Sequence, residues 1–149
     1  MAKNIDNLSA TLENYLETVA ALKKEKKYAR VGDIAKILDV KSSSVNVAIN
    51  FLAENGFVIH EKYGYVDLTE KGEKIAAEIQ KKHDILYQFF SNLLFLDADI
   101  AAKEACEVEH SVSSETIYRI ERLYSLLKTH FLTKPEDIRN LRDYLEGKG

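Results

Sequence analysis

The run Cys106-Glu107-Val108-Glu109-His110 sets a cysteine, a carboxylate and a histidine at i, i+3 and i+4. On a helix these positions share one face, so a thiolate, a carboxylate and an imidazole converge there, a donor set suited to first-row divalent ions. A solitary buried cysteine is ordinarily a small core hydrophobe, so the grouping with Glu109 and His110 carries the metal reading. Glu107 points elsewhere. Further donors are His83 and the i, i+3 pair Asn14 and Glu17, on helices that can fold against the same face. Ligands drawn from separate helices would make metal binding and helix packing one equilibrium. A nucleophilic reading of Cys106 and His110 is much poorer. The pair has no evident oxyanion hole, glycine-rich phosphate loop or substrate-orienting loop beside it, and no enzyme is expected.

The elements that must position these donors follow from periodicity. Leu12, Tyr15, Leu16, Val19 and Leu22 form the stripe of a first helix, capped by Ser9 or Thr11 and running to about Lys27. Val31, Ile34, Ala35 and Leu38 make a short helix, and Val45, Val47, Ile49 and Leu52 a second one close behind it, with Ser42, Ser43 and Ser44 as its cap. Gly56 ends that helix. Two β-prone runs, Phe57 to Ile59 and Tyr65 to Leu68, are joined through Lys62, Tyr63 and Gly64 as a hairpin. A helix-turn-helix followed by a two-stranded wing is a winged helix, whose second helix enters the major groove of DNA. From Thr69 a long helix carries His83 to about Leu94. Helices follow at Ile100 to Val108, from Ser113, and from a Thr133/Glu136 capping box with Pro135 to about Leu145. The fold class is therefore mainly α, a winged-helix DNA-binding domain over residues 1–72 followed by an all-helical metal-binding and dimerisation domain over residues 73–149.

The 149 residues carry a net charge of −3, which argues against indiscriminate DNA binding, since that depends on phosphate neutralisation. A local basic face suffices for a specific reader. Lys23, Lys24, Lys26, Lys27, Arg30, Lys41 and Lys62 supply one around the winged helix. Arg30 and Lys41 suit phosphates, with Lys62 and Tyr63 at the hairpin tip beside the backbone. Ser42, Ser43, Ser44, Asn46 and Asn50 are the polar choices for base edges, and Val47 is expected to pack more than to touch a thymine methyl. Ile117, Ile120, Leu123, Leu126 and Leu127 form the expected buried stripe of the penultimate helix. The second half holds more apolar residues than three helices can hide, so Tyr118, Leu123, Tyr124, Leu127 and Phe131 are a candidate interface for a two-fold dimer. Such a dimer would read a near-palindromic duplex. One cysteine precludes an internal disulfide framework, and no apolar run reaches about 18 residues, so a cytoplasmic protein without a membrane span is expected.

Taken together, TLENYLETV, ARVGDIAKILDVKSSSV, EKYGYVDLTEKG, KKHDILYQFF and EACEVEHSVS resemble the diphtheria-toxin-repressor family of metal-dependent transcriptional regulators. The likeness is strongest to its short manganese-regulator branch, which lacks an SH3-like domain. It covers nearly the whole chain. The resemblance implies a dimeric repressor that binds operator DNA when its divalent metal is bound and controls genes of metal uptake or homeostasis. The family's ligand positions fall on Asn14, Glu17, His83, Cys106, Glu109 and His110. Two departures matter. The manganese branch has carboxylates where this chain has Asn14 and Cys106, whereas the iron-responding branch has methionine and cysteine there. Tyr87 and Ala102 stand where the iron branch has an acidic residue and a histidine of a second site.

Two fewer carboxylates weaken the case for a pair of hard cations, and a thiolate moves preference away from Mn²⁺. Asn14 offers a neutral carbonyl, a weak ligand or a spectator. The expectation is one principal site per subunit from Glu17, His83, Cys106, Glu109 and His110, with Fe²⁺ favoured and Mn²⁺, Zn²⁺, Co²⁺ and Ni²⁺ as alternatives. Two rival readings stay open on sequence grounds: a winged-helix regulator that has lost its metal switch, and a winged helix that binds protein instead of DNA.

Overall fold

The computed structural model describes residues 8–62 and 64–149, and these divide into two compact units, Met1–Gln80 and Lys81–Gly149. The first is built on α1 (Ala10–Lys26), whose N-cap Ser9 accepts a hydrogen bond from the Leu12 N–H at 3.3 Å. Tyr15, Leu16, Val19 and Leu22 are buried as their spacing requires. They meet Ile34 and Ala35 of α2 (Val31–Leu38), and Val45, Ile49 and Leu52 of α3 (Ser42–Glu54), in one core. The turn between α2 and α3 passes through Asp39 in the left-handed conformation, which an aspartate tolerates better than most side chains. Its length forces the two helices to cross.

Two details differ from expectation. The N-cap of α3 is Lys41 and makes no side-chain capping bond, so the serines sit inside the first turn with their hydroxyls outward. The sheet also has a third strand. β1 (Ala29–Arg30) pairs antiparallel with β3 (Tyr65–Leu68), which pairs with β2 (Val58–His60), giving the order β1-β3-β2. Two residues are too few to show a period of two, so the strand was invisible to pattern reasoning. The wing itself is the β2–β3 hairpin, with Gly64 at φ 77° in its turn. Lys23 bridges Asp67 at 2.8 Å and Glu73 at 3.0 Å, and its hydrogen bond holds the Asp67 carboxyl below the usual carboxylate range. All three side chains are well exposed, so the bridge is worth well under about 1 kcal/mol.

Helix α4 (Glu70–Gln88) begins at Thr69, whose hydroxyl accepts from the Gly72 N–H at 3.1 Å and donates to the Gly56 carbonyl at 2.6 Å. Its first turns belong to the winged-helix core, since Ala76 is buried there and Ile75 packs beside it. The line between the two units accordingly falls inside α4, past Gly72.

In the second unit α4 ends in a π-helical turn (Phe89–Leu93), followed by α5 (Ala98–Val108), α6 (Ser114–Leu126) with a second π-helical turn (Leu127–Phe131), and α7 (Pro135–Leu145). Ser113 caps α6 through the Thr116 N–H at 3.2 Å. The cap of α7 is one residue later than the Thr133/Glu136 box: Asp137 accepts the Lys134 N–H at 3.0 Å, and Pro135 opens the helix. Leu86, Ala105 and Ile117 form the centre of this unit. The expected stripe on α6 is buried at Ile117, while Leu123 and Leu126 are exposed. Four short helices enclose too small a core to take them all. No helix among the described residues is long and apolar enough to cross a membrane.

Gly72 is the tightest backbone approach in the first unit. A Cβ there would stand 2.0 Å from the Phe57 carbonyl oxygen, so the helix start must move if one is added. Gly72→Ala is expected to destabilise the winged helix by at least the ~1–3 kcal/mol typical of overpacking, read by thermal unfolding.

Candidate metal centre and nucleic-acid interface

The buried line of α5 runs Ala101, Ala105, Glu109, at i, i+4 and i+8, and ends on a carboxylate. Glu109 is 1% exposed. Its Oε2 lies 2.8 Å from His83 Nδ1 on α4, and its Oε1 lies 3.2 Å from His110 Nε2. Burying a carboxylate is costly unless it is paired, and here each oxygen faces one imidazole. The local cause is the end of α5 at Val108. Glu109 still has helical dihedrals and stays on the buried line, while the turn that follows brings the His110 ring back against it.

This arrangement fits a divalent ion. Donors sharing one ion through bonds of about 2.1 Å stand roughly 3 Å apart, close to both separations around Glu109. The donor chemistry is mixed nitrogen and oxygen, which suits Fe²⁺, Mn²⁺, Co²⁺, Ni²⁺ and Zn²⁺ without singling one out. Glu109 and His110 belong to the described side chains whose donor atoms lie close enough together to hold a metal, and Cys106 lies outside that group. Cys106 sits one position off the Ala101–Ala105–Glu109 line and is exposed. Glu17 and Asn14 lie on α1 of the first unit, both half-buried, and the Asn14 backbone carbonyl accepts the Thr18 hydroxyl at 2.8 Å. Tyr87 and Ala102 are half-buried in the helical unit.

On the winged helix, Lys41, Ser42, Ser43, Ser44, Asn46, Val47 and Asn50 are all exposed along α3, and Lys62 is exposed at the wing. Tyr63 lies outside the described residues. Val47 is 72% exposed, which overturns the expectation that it packs: Val45 and Ile49 take the inward positions on either side, and Val47 points the opposite way. Phe51, one turn further on, is exposed beside it. Arg30 is exposed, with its Nη2 donating to the Tyr65 hydroxyl at 2.8 Å and its guanidinium 5.0 Å from the Tyr65 ring centre. Tyr65 faces Arg30 through the β1–β3 register, so its part in aiming Arg30 depends on a strand too short to read from sequence.

In the helical unit Phe131 is 62% and Tyr118 57% exposed, Leu123 is exposed, and Tyr124 and Leu127 are half-buried. These five residues line an apolar surface on α6 and the π-helical turn after it.

Residues 69–145 match a family model described as the iron dependent repressor metal binding and dimerisation domain, and residues 7–66 match the iron dependent repressor N-terminal DNA binding domain. The chain belongs to the iron-dependent repressor family. Members of this family are metal-dependent DNA-binding transcriptional regulators and not enzymes, so this repressor is one as well. It is 33% identical over 132 residues to the HTH-type transcriptional regulator MntR of Shouchella clausii (strain KSM-K16), covering 89% of this chain and 91% of that one. Its identity to the MntR regulator of Lysinibacillus sphaericus (strain C3-41) is also 33%, over 118 residues, 79% of this chain and 84% of the relative. Among solved structures, a manganese-dependent transcriptional repressor in complex with manganese superposes with a TM-score of 0.71 at 28% identity, covering 76% of this chain and 52% of that one. The IdeR of T. acidophilum superposes at 0.69 and 28% identity, over 76% and 53%. The chain thus spans about half the length of these solved relatives.

Glu109→Gln keeps the shape and removes the charge. Metal affinity is expected to fall by more than the roughly 10–100-fold that loss of an outer partner costs, while the metal-free protein stays folded. Anaerobic titration with unfolding measured with and without metal checks this, and wild-type affinity in Glu109→Gln would remove the carboxylate from the site.

Proposed function

We propose that this repressor holds one principal divalent ion per subunit through Glu17, His83, Glu109 and His110, and that metal loading drives it onto near-palindromic operator DNA as a homodimer. The pairing of buried Glu109 with two imidazoles carries this reading. Cys106, one turn before His110, is the proposed additional donor that tilts preference toward Fe²⁺, and Asn14 is a weak oxygen donor or a bystander. The bound ion supplies the positive charge that lets carboxylates from different helices share one point. Glu17 extends from the winged-helix unit, whereas His83, Glu109 and His110 belong to the helical unit. With ligands drawn from several helices, metal binding and helix packing are one equilibrium. The genes controlled are those of metal uptake or homeostasis, by analogy with regulators of this family.

In the complex, α3 lies in the major groove, and Ser43, Asn46, Val47 and Asn50 face base edges. Arg30, Lys41 and Lys62 meet phosphates, with Ser42, Ser44 and Tyr63 near the backbone. Tyr118, Leu123, Tyr124, Leu127 and Phe131 pack across the two-fold axis, a reading supported by the exposure of Tyr118, Leu123 and Phe131. A closed two-fold dimer places both α3 helices on one side of the duplex.

Capture of genomic DNA fragments under anaerobic conditions tests the proposal directly. A few near-palindromic sites should be retained with Fe²⁺, fewer with Mn²⁺ or Zn²⁺, and none with chelator. Equal retention with chelator would leave a DNA reader without a metal switch. Lys41→Ala and Arg30→Ala should weaken binding to all sequences, with the slope of log affinity against log salt shallower by about 0.9 for each phosphate that is no longer neutralised. An unchanged slope would mean that the residue does not meet a phosphate.

A further inference from the structure

A side-chain hydrogen bond joins α3 to the wing. His60 Nδ1 on β2 lies 3.0 Å from Asn50 Oδ1 on α3. With Asn50 Oδ1 as the acceptor, the contact requires the His60 tautomer that donates from Nδ1, and it leaves the Asn50 amide group with Oδ1 toward the wing and Nδ2 turned away from it. Both ends of this bond are anchored. His60 is paired with Val66 in the β2–β3 ladder, and Asn50 follows the fully buried Ile49 and precedes the fully buried Leu52 by two positions. An exposed asparagine ordinarily samples several rotamers and both amide orientations, and must lose that freedom on binding DNA. Here the loss is met before DNA arrives.

The bond matters because of what α3 lacks. From Ser42 to Glu54 the helix contains no lysine or arginine, so the bidentate guanine contact that those side chains make is absent from its surface. Hydrogen-bonded base reading on α3 therefore rests on the serines, Asn46 and Asn50. For an asparagine, the orientation of the amide decides whether a donor or an acceptor meets a given base edge. Whatever sets that orientation sets the base it prefers.

We infer that His60 is a positioning residue for sequence recognition: by holding Asn50 Oδ1 it fixes which edge of the carboxamide faces the groove, and so fixes the base pair that Asn50 selects. The inference rests on α3 being the helix that reads DNA. It also gives the wing a second role. Beyond lying near phosphates, β2 determines base preference through a residue that need not touch a base.

The test is selection from a pool of randomised duplexes with the metal-loaded, full-length protein, comparing wild type with Asn50→Ala, His60→Ala, His60→Asn and the double variant Asn50→Ala/His60→Ala. Salt slopes are measured on the best wild-type site. Asn50→Ala is expected to reduce preference at one base pair of each half-site by roughly tenfold, the scale of a good specific contact. His60→Ala should lower preference at that same base pair by severalfold with an unchanged salt slope, and the double variant should match Asn50→Ala. His60→Asn places an amide donor near the Nδ1 position and should restore most of the preference. If His60→Ala weakens all sequences equally with a shallower salt slope, His60 is a phosphate contact and the inference is overturned. It is overturned too if His60→Ala leaves the Asn50 position as selective as wild type. Failure of the underlying reading looks different: Asn50→Ala, together with Ser43→Ala and Val47→Ala, would then leave every base preference intact.

Discussion

A carboxylate buried at the end of α5 is the constraint on which the helical unit depends. Glu109 occupies the third position of a line whose first two members are alanines, and Ala105 packs against Leu86 of α4 and Ile117 of α6. A hydrophobic residue at 109 would satisfy packing at lower cost, because removing a carboxylate from water requires compensation. His83 compensates one oxygen through a hydrogen bond, and His110 Nε2 lies 3.2 Å from the other. The unit thereby keeps a carboxyl group out of water, where attraction to a divalent cation is stronger than at a water-exposed site. Stability is spent on a site that can answer to an ion.

The winged helix is organised by the opposite logic. Its core is continuous and apolar from α1 through α3 to the start of α4, and its outward features are placed by strand register and helix phase. The β1–β3 pairing sets Arg30 against Tyr65, and the β2–β3 pairing sets His60 at the height of Asn50. A rigid scaffold of this kind delivers polar side chains to DNA with little left to order. Placing the wing and α3 on one core also means that a displacement of α1 reaches both together.

Much of this was legible in the sequence. Long periodic stripes gave α1 and α3 within a residue or two, and gave α4 together with the π-helical turn that ends it as one helix, while Gly56 and Gly64 stand where a turn demands them. The donors Glu109 and His110 were visible through their spacing. Other features depend on tertiary placement that no local pattern encodes. β1 has two residues and is a strand only because β3 lies beside it. Cys106 shares helical spacing with Glu109 and His110, yet the line that α5 buries passes to one side of it. Val47 belongs by type to the core and by phase to the surface, and phase won because Val45, Ile49 and Leu52 already fill the inward face. Leu123 and Leu126 fit a buried stripe whose unit is too small to bury it, an excess that points outward to a second subunit.

On the proposed function metal binding and operator binding are coupled, and linkage requires such effects to be reciprocal. The most direct measurement is the affinity for Fe²⁺, taken anaerobically with and without a saturating operator duplex. Operator DNA is expected to tighten metal binding by the same factor by which metal tightens DNA binding, on the scale of about 5- to 150-fold for coupled sites. Equal metal affinity in the presence and absence of operator would contradict this coupling, because the ion would then occupy its site without any influence on the DNA reader.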